Sequence, residues 1–322
     1  MGRLDAGLPV GCVTAILVGM LADNRNEGIV PIVRFWGVRG SVPTPGPTTV
    51  RYGGNTSCVE VRLGGQVIVL DAGTGIRLLG DALASEFADE SIALSLLISH
   101  THWDHIQGLP FFSPAYSPGN RVGIFGYKGA KKGLERILSA QMESPHFPVQ
   151  MNTMVGDVSF SEFGRDPFTL GEVRVSVRPL NHPGGAMGFR LEAGGVVVVY
   201  VPDNEPEPFE AHSSGREGRN QDLIEFVRDA DVAIMDAQYD ASEYPSHKGW
   251  GHGCVDDVVK IASAGRVRKL FLFHHDPYHD DERMDDIVVH AQSLANRLGP
   301  GMRVAAAREG LSVALPVAVA QC

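Results

Sequence analysis

Three imidazoles and a carboxylate fall within six residues in His100-Thr101-His102-Trp103-Asp104-His105. Imidazole nitrogens and carboxylate oxygens are the donors that a borderline divalent ion such as zinc takes. A lone histidine after a strand is more often a packing or surface residue. Four ligand-type side chains at one strand end are not explained that way, so the stretch reads as a metal site. The element that positions it is Ala93 to Ile98, short, apolar and bounded by polar residues, as a buried strand is. Strand periodicity puts His100 and His102 on one face. The chain then turns and brings Asp104 and His105 round to the same place.

Other apolar runs end in residues of the same chemical kind. Glu172 to Pro179 leads to Leu180-Asn181-His182, and Val196 to Val201 leads to Pro202-Asp203-Asn204. Val232 to Met235 ends at Asp236, and Leu270 to Phe273 ends at His274-His275-Asp276-Pro277. Trp250-Gly251-His252-Gly253-Cys254 opens a helix from about Val255 to Ala264. Lys131 to Gln141 is expected as an amphipathic helix, and the apolar Ser144 to Met151 as a lid or pocket wall, with a dimer contact as the competing view.

The spacing His100-x-His102-x-Asp104-His105 resembles the signature of the metallo-β-lactamase-fold hydrolases, and the resemblance spans about residues 32 to 310. It implies an α/β chain folded as a four-layer αβ/βα sandwich, with two divalent metal ions along one edge. Zinc is the expected metal, with manganese or iron(II) as alternatives. The resemblance assigns His100, His102 and His182 to one ion, and Asp104, His105 and a last histidine to the other. Asp203 bridges the two. Strand alternation lets only one of His274 and His275 face the site, and the motif frame favours His274. Asp71 could cap the helix that starts near Ile76, but the resemblance makes it a buried carboxylate that orients the histidine loop.

Trp250-Gly251-His252 ahead of a helix is similar to the ending of tRNA 3′-processing endonucleases and of cyclic-nucleotide phosphodiesterases. In those enzymes the matching histidine contacts phosphate and protonates the leaving oxygen. His252 therefore joins Asp104 as an expected catalytic group. Asn55 and Thr56, in the turn Gly53-Gly54-Asn55-Thr56-Ser57, and Lys248 are candidate substrate-binding residues. Turn formation and solvation explain those three equally well.

Strands interleaved with helices and no internal repeat indicate one hydrolase domain over residues 31–322, preceded by an N-terminal extension over residues 1–30. Lys+Arg 28 against Asp+Glu 38 gives a net charge of −10, which offers no general attraction to a polyanion. Where the tRNA enzymes carry a gripping arm, Glu205 to Asn220 is short and of mixed charge. The expected reaction is hydrolysis of a small phosphodiester, foremost a 3′,5′-cyclic nucleotide opened to the monophosphate by metal-activated water, with no long nucleic acid as partner. The alternatives are a tRNA 3′-end endonuclease, a thioester or lactone hydrolase, and a non-catalytic metal or nucleotide sensor. The intact ligand set argues against the sensor.

Cys12, Cys58, Cys254 and Cys322 form no CxxC pair, as suits a reducing cytoplasm. Residues 8–22 imitate a signal peptide, but Asp5 precedes them and Met20 stands where a small residue belongs. The run is too short to span a membrane, so no membrane partner is expected. A homodimer is implied by the resemblance alone.

Overall fold

Apolar runs bounded by glycine, proline and polar residues become the strands of two seven-stranded sheets. The computed structural model describes residues 30–88, 90–128, 133–207, 217–299 and 301–316, with only the backbone at 217–219. Apart from Val30, the expected N-terminal extension lies outside the described residues, as does most of the Glu205–Asn220 insert.

The first part of the chain runs β1 (Ile32–Gly37), β2 (Cys58–Leu63), β3 (Gln66–Leu70), α1 (Ile76–Glu86), β4 (Ala93–Leu97), the one-turn α2 (Trp103–Ile106), β5 (Arg121–Tyr127), α3 (Leu134–Ala140) and β6 (Asp157–Phe163). The second part runs β7 (Phe168–Leu170), β8 (Val173–Leu180), β9 (Ala186–Ala193), β10 (Val196–Val201), α4 (Glu217–Val227), β11 (Val232–Asp236), α5 (Tyr244–His247), α6 (Val255–Ala264), β12 (Lys269–Phe273), α7 (Asp281–Leu298), β13 (Arg303–Ala306) and β14 (Ser312–Ala314). The sheet orders are β14-β1-β2-β3-β4-β5-β6 and β13-β12-β11-β10-β9-β8-β7.

The core between the sheets is built from alternate residues. Val33, Phe35, Val59, Val61, Ile68 and Leu70 face Phe189, Leu191, Val198, Ile234, Phe271 and Phe273. The opposite faces carry helices. Ile76, Leu79 and Leu83 of α1 cover the first sheet, and the apolar sides of α6 and α7 cover the second. Helix, sheet, sheet and helix are the four layers of an α/β metallo-β-lactamase sandwich. Strands buried on both faces explain why β4, β10, β11 and β12 read as unbroken apolar runs.

β3, β4 and β5 run parallel, as do β10, β11 and β12. Parallel strands deliver their carboxyl-terminal loops to one edge, where open α/β sheets place their sites. The candidate residues Asp71, His100, Asp203 and His274 all lie on such loops. The helix expected over Lys131–Gln141 is observed as α3, with residues 129–132 outside the described set. β14 was not anticipated: three residues give too little pattern to read, yet they pair with β1 and extend the first sheet at that edge. Among the described residues no helix is long and apolar enough to cross a membrane.

Phe35 tests the inter-sheet packing. It is fully buried, with its ring centroid 5.1 Å from that of Phe271 and 6.5 Å from that of Phe273. Phe35→Ala is expected to cost about 3–5 kcal/mol, as large-to-small changes in a closed core do. The check is a lower denaturant midpoint with an unchanged slope.

Candidate metal centre

The centre is assembled at the edge where the two sheets meet. β4 ends just before Ser99 and His100, and Met187 N–H of β9 donates to Ser99 C=O across the sheets at 3.1 Å. His102 stands at the N-cap of α2, extended at φ −65°, ψ 152°, and the single helical turn then swings Asp104 and His105 back toward the strand end. His182 follows β8, Asp203 follows β10 and His274 follows β12.

One nitrogen or oxygen from each of His100, His102, His182 and Asp203 lies within 4.8 Å of the others. Asp104, His105 and His274 form a second such group, and Asp203, His252 and His274 a third. Asp203 lies between the first two. Its Oδ2 is 3.6 Å from Nε2 of both His100 and His182, while its Oδ1 is 3.1 Å from His105 Nε2 and 3.4 Å from His274 Nε2. His100 Nε2, His105 Nε2 and Asp203 Oδ1 are buried without a hydrogen bond. His182 Nε2 and His102 Nδ1 approach to 3.0 Å. Buried donors and acceptors that converge without pairing are costly, and cations at their common foci relieve that cost. The donor set therefore fits a metal site.

Electrostatics agrees with the geometry. Burial favours neutral rings at His100, His102 and His182 and pulls all three below the usual imidazole range. Burial would do the same to His105 and His274, but it is outweighed there. Asp203, Asp104 and Asp71 push His105 well up, and Asp203 and Asp104 push His274 up to about 9. Burial likewise opposes ionisation of Asp104 and Asp203, yet the surrounding imidazoles hold both carboxyls well below their ordinary range.

The rings of His105, His274 and His252 are also held from behind. Asp71 lies beneath the loop, where it accepts from Ser99 N–H at 2.7 Å, Ser99 Oγ at 2.7 Å and Tyr200 OH at 2.9 Å, and pairs with His105 Nδ1 at 2.8 Å. It does not cap α1, whose N-cap is Gly75. Gln238 Oε1 meets His274 Nδ1 at 3.0 Å, and Ser41 N–H donates to Asp104 Oδ2 at 2.8 Å. Gly40 packs so closely over His274 that a Cβ there would lie 2.3 Å from Nδ1. His252 Nδ1 is 2.9 Å from Asp236 Oδ2, and its ring stacks 4.8 Å from that of His274.

His275 turns away from the centre, with Nε2 donating to Ala307 C=O at 2.8 Å, and burial pulls it down to about 3. The two histidines are not sorted by strand alternation. His274 leaves β12 at φ 60°, a left-handed kink rare outside glycine. Asn55 and Thr56 are not brought to the cluster. Asn55 donates through N–H and Nδ2 to Glu309 at 2.6 and 2.9 Å. Thr56 exchanges bonds with Thr74, each backbone N–H meeting the other's hydroxyl at 2.9 Å. Lys248 is exposed on a cleft of about 420 Å³ that His182 and Gly251 also line. Tyr200, Gln238, Asp236 and Ser41 were missed by sequence reasoning. Only Asp236 gave a signal, as an acid at a strand end.

Residues 66–275 match a family model described as a beta-lactamase superfamily domain. A ribonuclease Z of Thermoplasma acidophilum is 26% identical over 280 residues, covering 76% of this chain and 85% of that protein. Among solved structures, the metallo-beta-lactamase fold protein YhfI from Bacillus subtilis superposes with a TM-score of 0.63 at 18% identity, covering 88% and 99% of the two chains. The short form of human tRNase Z superposes at 0.57 and 18% identity, with 89% and 100% covered. At such identity the two structures speak for the fold. The ribonuclease Z relatives overturn the exclusion of a long nucleic acid that was drawn from net charge. Charge summed over a chain does not describe the field at one buried site.

Metal loading should expel protons, because ligands bind deprotonated. His105 and His274 are raised and carry protons at pH 7, whereas His100, His102 and His182 are lowered and do not. Zinc added to stripped protein at pH 7 should release about two protons per chain. Affinity should rise with pH toward 9 as the His274 proton stops competing. Calorimetry in buffers of different ionisation enthalpy measures both. His274→Ala should lose metal, while His275→Ala should keep it at lower thermal stability, and the reverse pattern would move the ligand by one residue.

Proposed function

The chain belongs to the β-lactamase superfamily and is a metal-dependent hydrolase, and we propose from that premise that it cleaves a phosphodiester bond of RNA, as a tRNA 3′-end endonuclease does. The ribonuclease Z relatives support the choice of substrate. In this reading His100, His102 and His182 hold one divalent ion and Asp104, His105 and His274 a second, with Asp203 between them and zinc the first choice. A bound pair supplies Lewis-acid stabilisation of the phosphoryl oxygens and lowers the pKa of the attacking water.

The observation that carries the chemistry is His252. It sits within 4.8 Å of ligand atoms of Asp203 and His274, and Asp236 holds its Nδ1. A carboxylate at Nδ1 orients the ring and leaves Nε2 to exchange a proton with the substrate. An expelled ribose oxygen needs that proton as its bond to phosphorus breaks. Asp104, kept ionised by its imidazole neighbours and fixed by Ser41 N–H, is the carboxylate that orients the attacking water. Lys248 on the neighbouring cleft is placed to meet a flanking phosphate.

The resemblance of Trp250-Gly251-His252 to the cyclic-nucleotide phosphodiesterases favours a second reading, in which the same centre opens a small 3′,5′-cyclic nucleotide. A turnover panel of precursor tRNA and cyclic mononucleotides separates the two. RNA trimmed past the acceptor stem supports the first, and turnover of cyclic nucleotides alone would replace it with the second.

His252→Ala should keep its metal content and lose roughly 10²–10⁴-fold on the natural diester, the range of a positioned acid. It should retain far more activity on bis(p-nitrophenyl) phosphate, whose leaving group needs no proton. Equal losses on both substrates would remove the acid role.

A further inference from the structure

Glu205 lies two residues beyond Asp203, is nearly buried, and belongs to none of the metal-ligand groups. Its carboxylate collects a single loop. Oε1 accepts from Tyr244 OH at 2.7 Å and Gly249 N–H at 2.8 Å. Oε2 accepts from Gly249 N–H at 3.0 Å and Gly251 N–H at 2.9 Å. Its backbone is tied to the strand end before His182: Glu205 N–H donates to Asn181 C=O at 2.9 Å, and Asn181 Nδ2 donates to Glu205 C=O at 2.8 Å. One residue thus joins the ends of β8 and β10 to the loop that runs into His252.

That loop acts on the centre through Gly251. Its carbonyl accepts from His182 Nδ1 at 3.0 Å, which leaves the Nε2 lone pair facing Asp203 and His102. Gly251 has φ 90°, and a Cβ there would lie 2.3 Å from Pro183 Cδ and 2.6 Å from His182 Nδ1. Gly249 is also left-handed, at φ 88°. Two glycines in that conformation turn their N–H groups toward one acceptor, as in an anion-binding backbone concavity. Here the anion is built into the chain.

We propose that Glu205 is a positioning residue: by clamping Gly249 and Gly251 it fixes the Gly251 carbonyl that sets the tautomer and angle of His182, and so tunes the His100/His102/His182 site without touching the ion. The Asp104/His105/His274 group is held from other directions, by Asp71, Gln238 and Ser41. The effect of Glu205 should therefore be confined to one of the two ion sites. The proposal rests on the ligand grouping under Proposed function, and it does not depend on which phosphodiester is cleaved.

The experiment compares wild type, Glu205→Ala, Glu205→Gln and Tyr244→Phe in the full chain. Two-step titration with Co²⁺, followed by its visible absorption, reads each site. Glu205→Ala should weaken one step roughly 10–100-fold, as loss of a ligand's supporting partner does, and leave the other nearly unchanged. Glu205→Gln, which keeps one acceptor oxygen, should fall between, and Tyr244→Phe should lose least because both glycine contacts remain. Long-range ¹⁵N–¹H spectra of metal-free protein provide a readout that needs no ion. His182 should be the Nδ1–H tautomer in wild type and a mixture in Glu205→Ala. An unchanged His182 tautomer, or equal weakening of both steps, would overturn the proposal. Binding of one ion by wild type would instead refute the dinuclear reading, and the tautomer comparison would still decide the role of Glu205.

Discussion

Everything at this edge follows from one buried carboxylate shared between two groups of imidazoles. Asp203 is fully enclosed, and burying an unpaired charge costs several kcal/mol. Its oxygens diverge, Oδ2 toward His100 and His182, Oδ1 toward His105 and His274. That divergence requires four loops from both sheets to arrive together. Asp203 Oδ1 and His105 Nε2 come to 3.1 Å, yet each is left without a hydrogen-bond partner. A bound cation would satisfy both.

The loops can meet because the layers behind them are locked. Asp71 belongs to the first sheet and Tyr200 to the second, so the bond from Tyr200 OH to Asp71 crosses the core. Asp71 also holds Ser99 and His105, and it takes φ 61° to do so. A non-glycine residue in the left-handed region costs about 1–3 kcal/mol. The hydrogen bonds gathered at its carboxylate offset that cost, and the bend then aims the side chain under the histidine loop. His274, at φ 60°, shows the same pattern on the facing sheet. Of the non-glycine residues described in this conformation, Ser41, Asp71 and His274 sit beside the candidate centre, while Asp229 and Arg266 pair with each other at the surface.

These arrangements explain what could be read in advance. The His100–His105 cluster is legible because its donors are contiguous and of one chemical kind. The strands are legible because burial on both faces leaves unbroken apolar runs. What supports the ligands is not legible, because it is long-range. Tyr200 reaches Asp71 across 129 positions, and Gln238 reaches His274 across 36. The polar turn at Asn55 looks free in sequence, yet its partner is Glu309, 254 positions away. A left-handed kink at His274, and not strand alternation, separates it from His275. A period-2 argument holds only while the chain remains a strand.

Net charge failed for a related reason. It sums every side chain with equal weight, whereas the field at a site is set by charges within about 8 Å at physiological ionic strength. The buried carboxylates at the centre are Asp71, Asp104, Asp203 and Asp236, and imidazoles that bind metal are neutral. Divalent ions held there would offset those carboxylates, so the local charge is not the sum over the chain. His252 lies against Asp203 and His274, and Lys248 is exposed on the neighbouring cleft. The acidic surface then acts on what lies outside the screening distance. Its charges add little to the field at the site itself, which places the demand for substrate recognition on the loops nearest the ligands.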